Sequence, residues 1–247
     1  MPATNHGGSP SIENADYWWY TARSELLRTV LEPHVGDSAR ILDVGSADGP
    51  SVGWLQGRGR RTAVDIDIRG LGPGDVCGSA TALPFHDGAF DVVAAFDVIE
   101  HVDPEEAVVA ELRRVLGPGG RLLVSVPAYT WAWSDHDTAN GHHRRYTRRR
   151  LVDALERGGF EVDRATYAFA AVFPFFAAER LVRRARHSRS RHPAAPADVV
   201  TLPRTPQVVD RMLARLTRLD RRWLATRDLP VGSSVVVVAT RAADPVS

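Results

Sequence analysis

Arg40-Ile41-Leu42-Asp43-Val44-Gly45-Ser46-Ala47-Asp48-Gly49-Pro50 is the stretch on which the reading of this chain turns. Residues 40–44 read as a short buried strand, and Gly45-x-x-x-Gly49 as a turn through which the backbone can approach a ligand closely. A second strand over residues 61–66 then contains Asp65. An acid about 20 residues after a glycine-rich first turn is the usual partner of a ribose hydroxyl pair. Strand, glycine turn, helix, strand and acid together point to an adenosine-containing ligand at the edge of a parallel sheet.

The glycine spacing separates the candidate ligands. A dinucleotide fingerprint needs Gly-x-Gly-x-x-Gly, so that a pyrophosphate can rest on the helix N-terminus. Here position 47 is alanine, and Asp43 and Asp48 flank the turn. Two carboxylates repel a pyrophosphate but suit an amine and a sulfonium.

Three more segments follow in order. They are Ala80-Thr81-Ala82-Leu83-Pro84-Phe85-His86-Asp87-Gly88-Ala89-Phe90-Asp91-Val92-Val93, then Asp97-Val98-Ile99-Glu100-His101-Val102, then Glu111-Leu112-Arg113-Arg114-Val115-Leu116-Gly117-Pro118-Gly119-Gly120. With the Asp-x-Gly-x-x-x-Gly turn, they resemble the ordered motifs of the class I S-adenosylmethionine-dependent methyltransferases, of the type 11-like family, across residues 40–127. The resemblance implies an α/β fold: a Rossmann-like, doubly wound, seven-stranded sheet. It would be mostly parallel with the last strand antiparallel, have helices on both faces, and carry a helical insertion between strands six and seven.

The resemblance also implies S-adenosyl-L-methionine as cofactor and assigns roles to matching residues. Asp43 and the backbone of Gly45, Ser46 and Gly49 would hold the methionine amine and carboxylate. Asp65 would accept both ribose hydroxyls, and the backbone of Ile66 with nearby apolar side chains would enclose the adenine. Ser79 and Ala80 fall at the adenine edge. Many relatives carry an acid where this chain has Ser79, a departure that leaves a hydroxyl to accept the adenine amino group. Asp97 and Val98 would line the space under the sulfonium, and Asp67 reads as a solvent-facing loop acid.

Length and composition agree with one domain. The 247 residues, 44% of them apolar, can bury a sizeable core. A formal net charge of +1 gives no general affinity for polyanions. All 31 basic residues are arginine, a bias of composition rather than of function. Cys77 is the single cysteine, so no intrachain disulfide can form, which fits a reducing cytoplasm. No apolar core of a signal peptide opens the chain, and no apolar run is long enough to span a membrane. A cytoplasmic protein is expected, and the sequence sets no oligomeric state.

Residues 1–12 read as disordered, and residues 13–247 as one methyltransferase domain. Its first element, within 13–35, is a helix over 15–31 that caps the cofactor or, through Trp18 and Trp19, simply packs onto the sheet. Strands are expected at 40–44, 61–66, 74–77, 90–95, 120–126, 161–169 and 234–240. Helices are expected near 50–57, 104–116 and 148–157, the last capped by Thr147 and stopped by Gly158-Gly159. Residues 170–230 form a helical insertion and candidate substrate cover. It joins Phe173, Phe175 and Phe176 to Arg180, Arg183, Arg184, Arg186, Arg189 and Arg191. That pairing of apolar and cationic ends fits peripheral contact with an anionic membrane through 173–191, or a solvated basic face over ordinary packing.

Methyl transfer from an activated sulfonium needs in-line placement, dehydration and sometimes a base. Base candidates are His101, His136, His142 and His143, with His136 and His143 favoured and His101 read as packing beside the cofactor. Three of the four lie in Trp131-Ala132-Trp133-Ser134-Asp135-His136-Asp137-Thr138-Ala139-Asn140-Gly141-His142-His143-Arg144-Arg145-Tyr146, after strand five. The alternative is a structural lid in which Arg144 and Arg145 pair with Asp135 and Asp137. The ligand candidates on this one loop lack the paired spacing of a structural metal site, so no metal is expected.

These readings favour methylation, on oxygen, of a small-molecule or lipid- or glycan-linked acceptor. A nucleic-acid methyltransferase is the alternative raised by the arginine cluster. Near-neutral charge, the lack of an appended RNA-binding module and the lack of an Asn/Asp-Pro-Pro-Tyr motif all speak against nucleic acid as partner. A cofactor-binding protein with a non-methylating role is a third class that the same fold allows.

Overall fold

Val235, Val236, Val237 and Val238 are all buried, although successive side chains of a strand point to opposite faces. Their strand is therefore covered on both sides, as the unbroken valine run implies. The computed structural model describes residues 17–36, 39–45, 53–187 and 206–243, with side chains described up to 182 in the third segment. Residues 1–12, Ser46, Gly49, Arg189 and Arg191 lie outside them, as do the side chains of Arg183, Arg184 and Arg186.

Seven strands form one sheet: β1 (Ala39–Val44), β2 (Gly59–Asp65), β3 (Val76–Cys77), β4 (Phe90–Phe96), β5 (Leu116–Pro127), β6 (Phe160–Ala168) and β7 (Ser234–Arg241). Their order is β3-β2-β1-β4-β5-β7-β6. The first five run parallel, while β7 lies antiparallel between β5 and β6. The valine run is thus held from both sides, Val237 opposite Val124 and Ala165. The expected architecture is the one observed.

The helices are α1 (Trp18–Leu31), α2 (Glu105–Val115), α3 (Asp135–Ala139), α4 (Arg148–Arg157), α5 (Phe173–His187) and α6 (Gln207–Leu224). Helix α1 buries Ala22, Arg23, Leu26, Leu27, Val30 and Leu31 on one stripe. It packs against α6, with Arg221 of α6 paired to Glu25 at 2.9 Å. Thr147 caps α4 by accepting the Arg150 N–H at 3.2 Å. At its far end, a Cβ on Gly158 would come within 2.3 Å of Val109 Cγ1, so glycine there lets α4 close onto α2. Helices α5 and α6 stand between β6 and β7, where the insertion was expected.

Two local expectations change. Strand β3 is confined to Val76–Cys77 rather than 74–77. The Asp75 carboxylate accepts the Gly72 N–H at 2.9 Å and the Ala63 N–H at 2.8 Å, closing residues 72–75 as a turn. In place of a helix near 50–57, the described residues hold a 3-10 turn, Gly53–Leu55.

The carboxyl ends of β4, β5 and β6 share one edge of the sheet. Among the described residues, the three non-glycine positions with positive φ all stand there: Asp97 (φ 56), Tyr129 (φ 62) and Phe169 (φ 65). Each costs on the order of 1–3 kcal/mol, a strain that persists where surrounding structure over-determines it and that clusters at functional sites. In open α/β sheets, ligands bind outside this same edge.

Candidate active site

The end of β1 is built by a close approach. Gly45 has φ 73 and donates its N–H to Val64 O at 2.8 Å. A Cβ there would lie 2.5 Å from Val98 Cγ2, so only glycine lets the turn sit this near the loop after β4. Beneath it, the Oδ2 atom of buried Asp43 accepts from Arg61 Nη2 at 2.7 Å and Nε at 3.1 Å. Arg61 of the neighbouring strand thus balances the Asp43 charge in the free chain.

Asp65 ends β2, nearly buried, with Oδ1 accepting the Asp67 N–H at 2.8 Å. Ile66 follows it with 77% of its surface exposed. A large apolar side chain so open beside that acid offers a flat surface for a heterocycle. Ser79 Oγ lies 2.8 Å from Thr81 Oγ1, and Ala80 packs at the edge of the core. Asp67 clamps Arg69 through its side chain, in keeping with the loop role expected of it. Asp43, Gly45, Asp65 and Val98 therefore meet around adjoining strand ends.

Against the loop after β4 lies a residue of α1 that sequence reasoning missed. Arg23 of α1, 1% exposed, sends Nη2 to Asp97 Oδ2 and Ser125 Oγ, each at 2.8 Å. The signal was present: Arg23 falls on the same stripe as Leu26, Leu27 and Val30, and an arginine on a buried face must have a partner there.

Glu100 stands on the 3-10 turn Ile99–His101 of the same loop. It is 0% exposed, and neither carboxylate oxygen has a hydrogen-bond partner among the described residues. Burial first, then the charge of Asp97, push its carboxyl well above the usual range. Its own backbone amide, Arg23 and Arg145 pull weakly the other way. Its neighbour His101 crosses the His142 ring at 4.5 Å and nearly perpendicular. Burial, and next the charge of His142, hold the His101 imidazole below its ordinary value, against the pull of the Asp97 charge and of a hydrogen bond with the Asn140 backbone.

The loop after β5 is organised by Asp137. Its side chain accepts the Ser134 N–H at 2.8 Å, while Ser134 caps α3 in return. Arg145 Nε and Nη2 reach its two oxygens at 2.7 and 3.0 Å, and His142 Nδ1 lies 2.9 Å from Oδ1. Burial alone would raise the Asp137 carboxyl, but the hydrogen bonds from His142 and Arg145 outweigh it and hold it well below the usual range. The expected pairing of Arg145 with Asp137 is present. Arg144 instead reaches Asp103 and the Val102 carbonyl, tying the loop to the segment after β4. Of the two favoured bases, His136 and His143 are both exposed, and the His143 backbone N–H donates to Glu100 O at 2.8 Å.

An aromatic wall borders the same edge. Tyr129 stacks on Tyr167 at 5.3 Å and on Trp131 at 5.8 Å, with Phe173 at 5.4 Å. Burial, and then Tyr167, push the Tyr129 hydroxyl up to about 12, so it stays a neutral donor. Phe176 packs on Phe173 at 6.2 Å under Arg180, whereas Phe175 is 58% exposed. The three insertion phenylalanines thus divide between wall and surface. Trp19 stacks on Phe169 at 6.0 Å, which supports the packing role for α1.

Comparison with known proteins agrees with this geometry. Residues 17–165 match the family described as a methyltransferase domain, more than half of the chain. A relative from Mycolicibacterium smegmatis named as an S-adenosylmethionine-dependent methyltransferase is 31% identical over 174 residues, 66% of this chain and 66% of that protein. The demethylmenaquinone methyltransferase of Mycobacterium tuberculosis is 33% identical over 121 residues, 46% of this chain and 49% of that protein. The chain thus spans just under two thirds of the first relative and about half of the second. A Bacillus halodurans protein described as a methyltransferase shares the fold with TM-score 0.55 and 18% identity, covering 89% of this chain and 100% of its own. The chain belongs to the class I S-adenosylmethionine-dependent methyltransferases. No described helix is long and apolar enough to cross a membrane.

Proposed function

We propose that this chain transfers a methyl group from S-adenosylmethionine to an oxygen of a small, largely apolar acceptor. The aromatic wall of Tyr129, Trp131, Tyr167 and Phe173 carries this reading, because it stands beside the strained carboxyl edge where an acceptor would meet the cofactor. The relatives named for demethylmenaquinone support a small-molecule acceptor. In this reading Asp65 accepts the ribose hydroxyls, with Ile66, Ser79 and Ala80 around the adenine. The backbone of Gly45, Ser46 and Gly49 receives the methionyl end, with Asp43 as the charged anchor beneath. Asp97 and Val98 line the space under the sulfonium.

Exposed His136 and His143 serve as candidate bases. Although its surface is open, the chain packed around the His136 ring partly desolvates it and holds the imidazole below its ordinary value, which favours the neutral form that can accept a proton. The free, exposed thiol of Cys77 suits a reducing cytoplasm. Phe175, Leu181 and Val182, exposed together on α5, support peripheral contact with an anionic membrane, which liposome co-sedimentation at low salt would check.

Calorimetry with S-adenosylhomocysteine tests the central claim. Wild type is expected to bind it, and Asp65→Ala to bind about 1.5–3 kcal/mol more weakly through loss of a charged acceptor. Heat with NAD but none with either adenosyl ligand would overturn the reading.

A further inference from the structure

From the arrangement at the edge of the sheet, we propose a site for a divalent transition-metal ion of the zinc type formed by Glu100, His101 and His142. One ligand atom from each residue can be chosen so that all three lie within 4.8 Å of one another. Ligands bound to zinc at about 2.0–2.2 Å stand roughly 3.4 Å apart, so small rotamer shifts close the set around an ion. Two imidazoles and one carboxylate are the donors that suit zinc, cobalt or manganese rather than magnesium or calcium.

Three independent features support the site. The first is the orphaned carboxylate of Glu100, fully buried with both oxygens unpartnered among the described residues. An unpaired buried carboxylate is costly, and a bound cation removes that cost. The second is the orientation of His142. Its Nδ1 lies 2.9 Å from Asp137 Oδ1, and Arg145 and Ser134 hold Asp137 in turn, so the ring is fixed in place beside Glu100 and His101. Metal-ligating histidines are commonly fixed by such a carboxylate behind the ring. The third is access: His101 is exposed at one edge, which gives an ion a way in.

The ligands come from two chain segments. Glu100 and His101 lie on the 3-10 turn Ile99–His101 after β4, and His142 on the loop after β5. Three protein ligands leave a coordination position open, as in catalytic rather than structural zinc sites. An ion there would supply Lewis acidity to an acceptor oxygen. That role rests on the methyltransferase reading above, whereas metal binding itself does not.

The test uses the full chain, stripped with a chelator and titrated with Zn²⁺ by calorimetry and with Co²⁺ by visible spectroscopy. One equivalent is expected to bind wild type, with Co²⁺ developing d–d bands. Glu100→Gln and His101→Ala should each weaken binding at least tenfold, and Asp137→Asn by about 10–100-fold. His86→Ala, removing an imidazole elsewhere on the surface, should leave affinity unchanged. Glu100→Gln keeps the shape of a buried side chain, and His101→Ala changes an exposed one, so both variants report on folded protein. Failure of wild type to bind either ion, or binding as tight as wild type by Glu100→Gln or by His101→Ala, would overturn the site. S-adenosylhomocysteine titrated into the same samples tells apart the two failures: cofactor without metal defeats only this site, and metal without cofactor defeats only the proposed function.

Discussion

Arg23 and Asp97 form an ion pair at 2.8 Å that fastens the first helix to the end of the fourth strand. The Arg23 side chain is almost wholly enclosed, and Asp97 holds φ 56 where the strand leaves the sheet. One charge pair therefore positions both the helix and the strained residue at the carboxyl edge. Arg23→Ala should lower stability by about 2 kcal/mol, somewhat below the cost of breaking a fully buried pair, since the Asp97 charge left unmatched is partly open to solvent. Urea denaturation checks this. Adding Asp97→Asn should recover part of the loss, and strict additivity would show that the pair contributes nothing.

Gly45 tests the close approach behind the first turn. Gly45→Ala meets two penalties, a left-handed backbone costing roughly 1–2 kcal/mol and the Val98 contact at 2.5 Å. We expect reduced stability and loss of cofactor binding by calorimetry. Val98→Ala combined with it should relieve the clash alone, giving partial recovery of stability. A Gly45→Ala protein as stable and as competent as wild type would show that the turn tolerates a side chain.

His136→Ala and His143→Ala probe the lid. A general base contributes a factor of roughly 10²–10⁴, so the variant lacking it should lose turnover by that order. Affinity for S-adenosylhomocysteine should stay near wild type. Retention of full rates by both would leave placement of the acceptor as the driving effect.

Asp220 makes stability depend on pH. It accepts the Ala171 N–H at 3.0 Å from within the packed face of α6, and burial pushes its carboxyl up to about 6 against the pull of the Ala171 and Ala170 amides. The unfolded value is about 3.9, so the folded chain binds this proton more tightly. The resulting stabilisation is complete below roughly pH 4 and is lost as the pH rises through about 6. Asp220→Asn keeps an acceptor for Ala171 without a charge. Its melting temperature should match wild type near pH 4 and exceed it near pH 8. A variant that melts lower than wild type near pH 8 would contradict the argument.

Much of the layout of this edge is legible in the sequence. A strand period, a glycine turn and an acid at a fixed distance are local properties, and Gly45, Asp65 and Val98 indeed meet where the strand ends converge. Asp43 shows the limit. Its place on β1 was readable, but its partner Arg61 depends on which strands lie side by side. The Gly72–Asp75 turn shows a second limit, since Asp75 competes for backbone donors that a longer β3 would otherwise use.

The sequence by itself determined the succession of the seven strands, the glycine that the first turn requires and the acid that follows it, because each is set by near neighbours and by side-chain periodicity. Only the tertiary structure decided that Arg23 meets Asp97, that His142 rather than His136 or His143 is locked by Asp137, and that Glu100 lies buried beside His101. Arg23 and Asp97 are far apart along the chain, as are Glu100 and His142, and what joins them is the sheet, which brings the first helix and two separate loops to one edge. No local propensity records such a meeting. It exists once the sheet is assembled, when burial removes water and leaves each charge to find its partner in the protein.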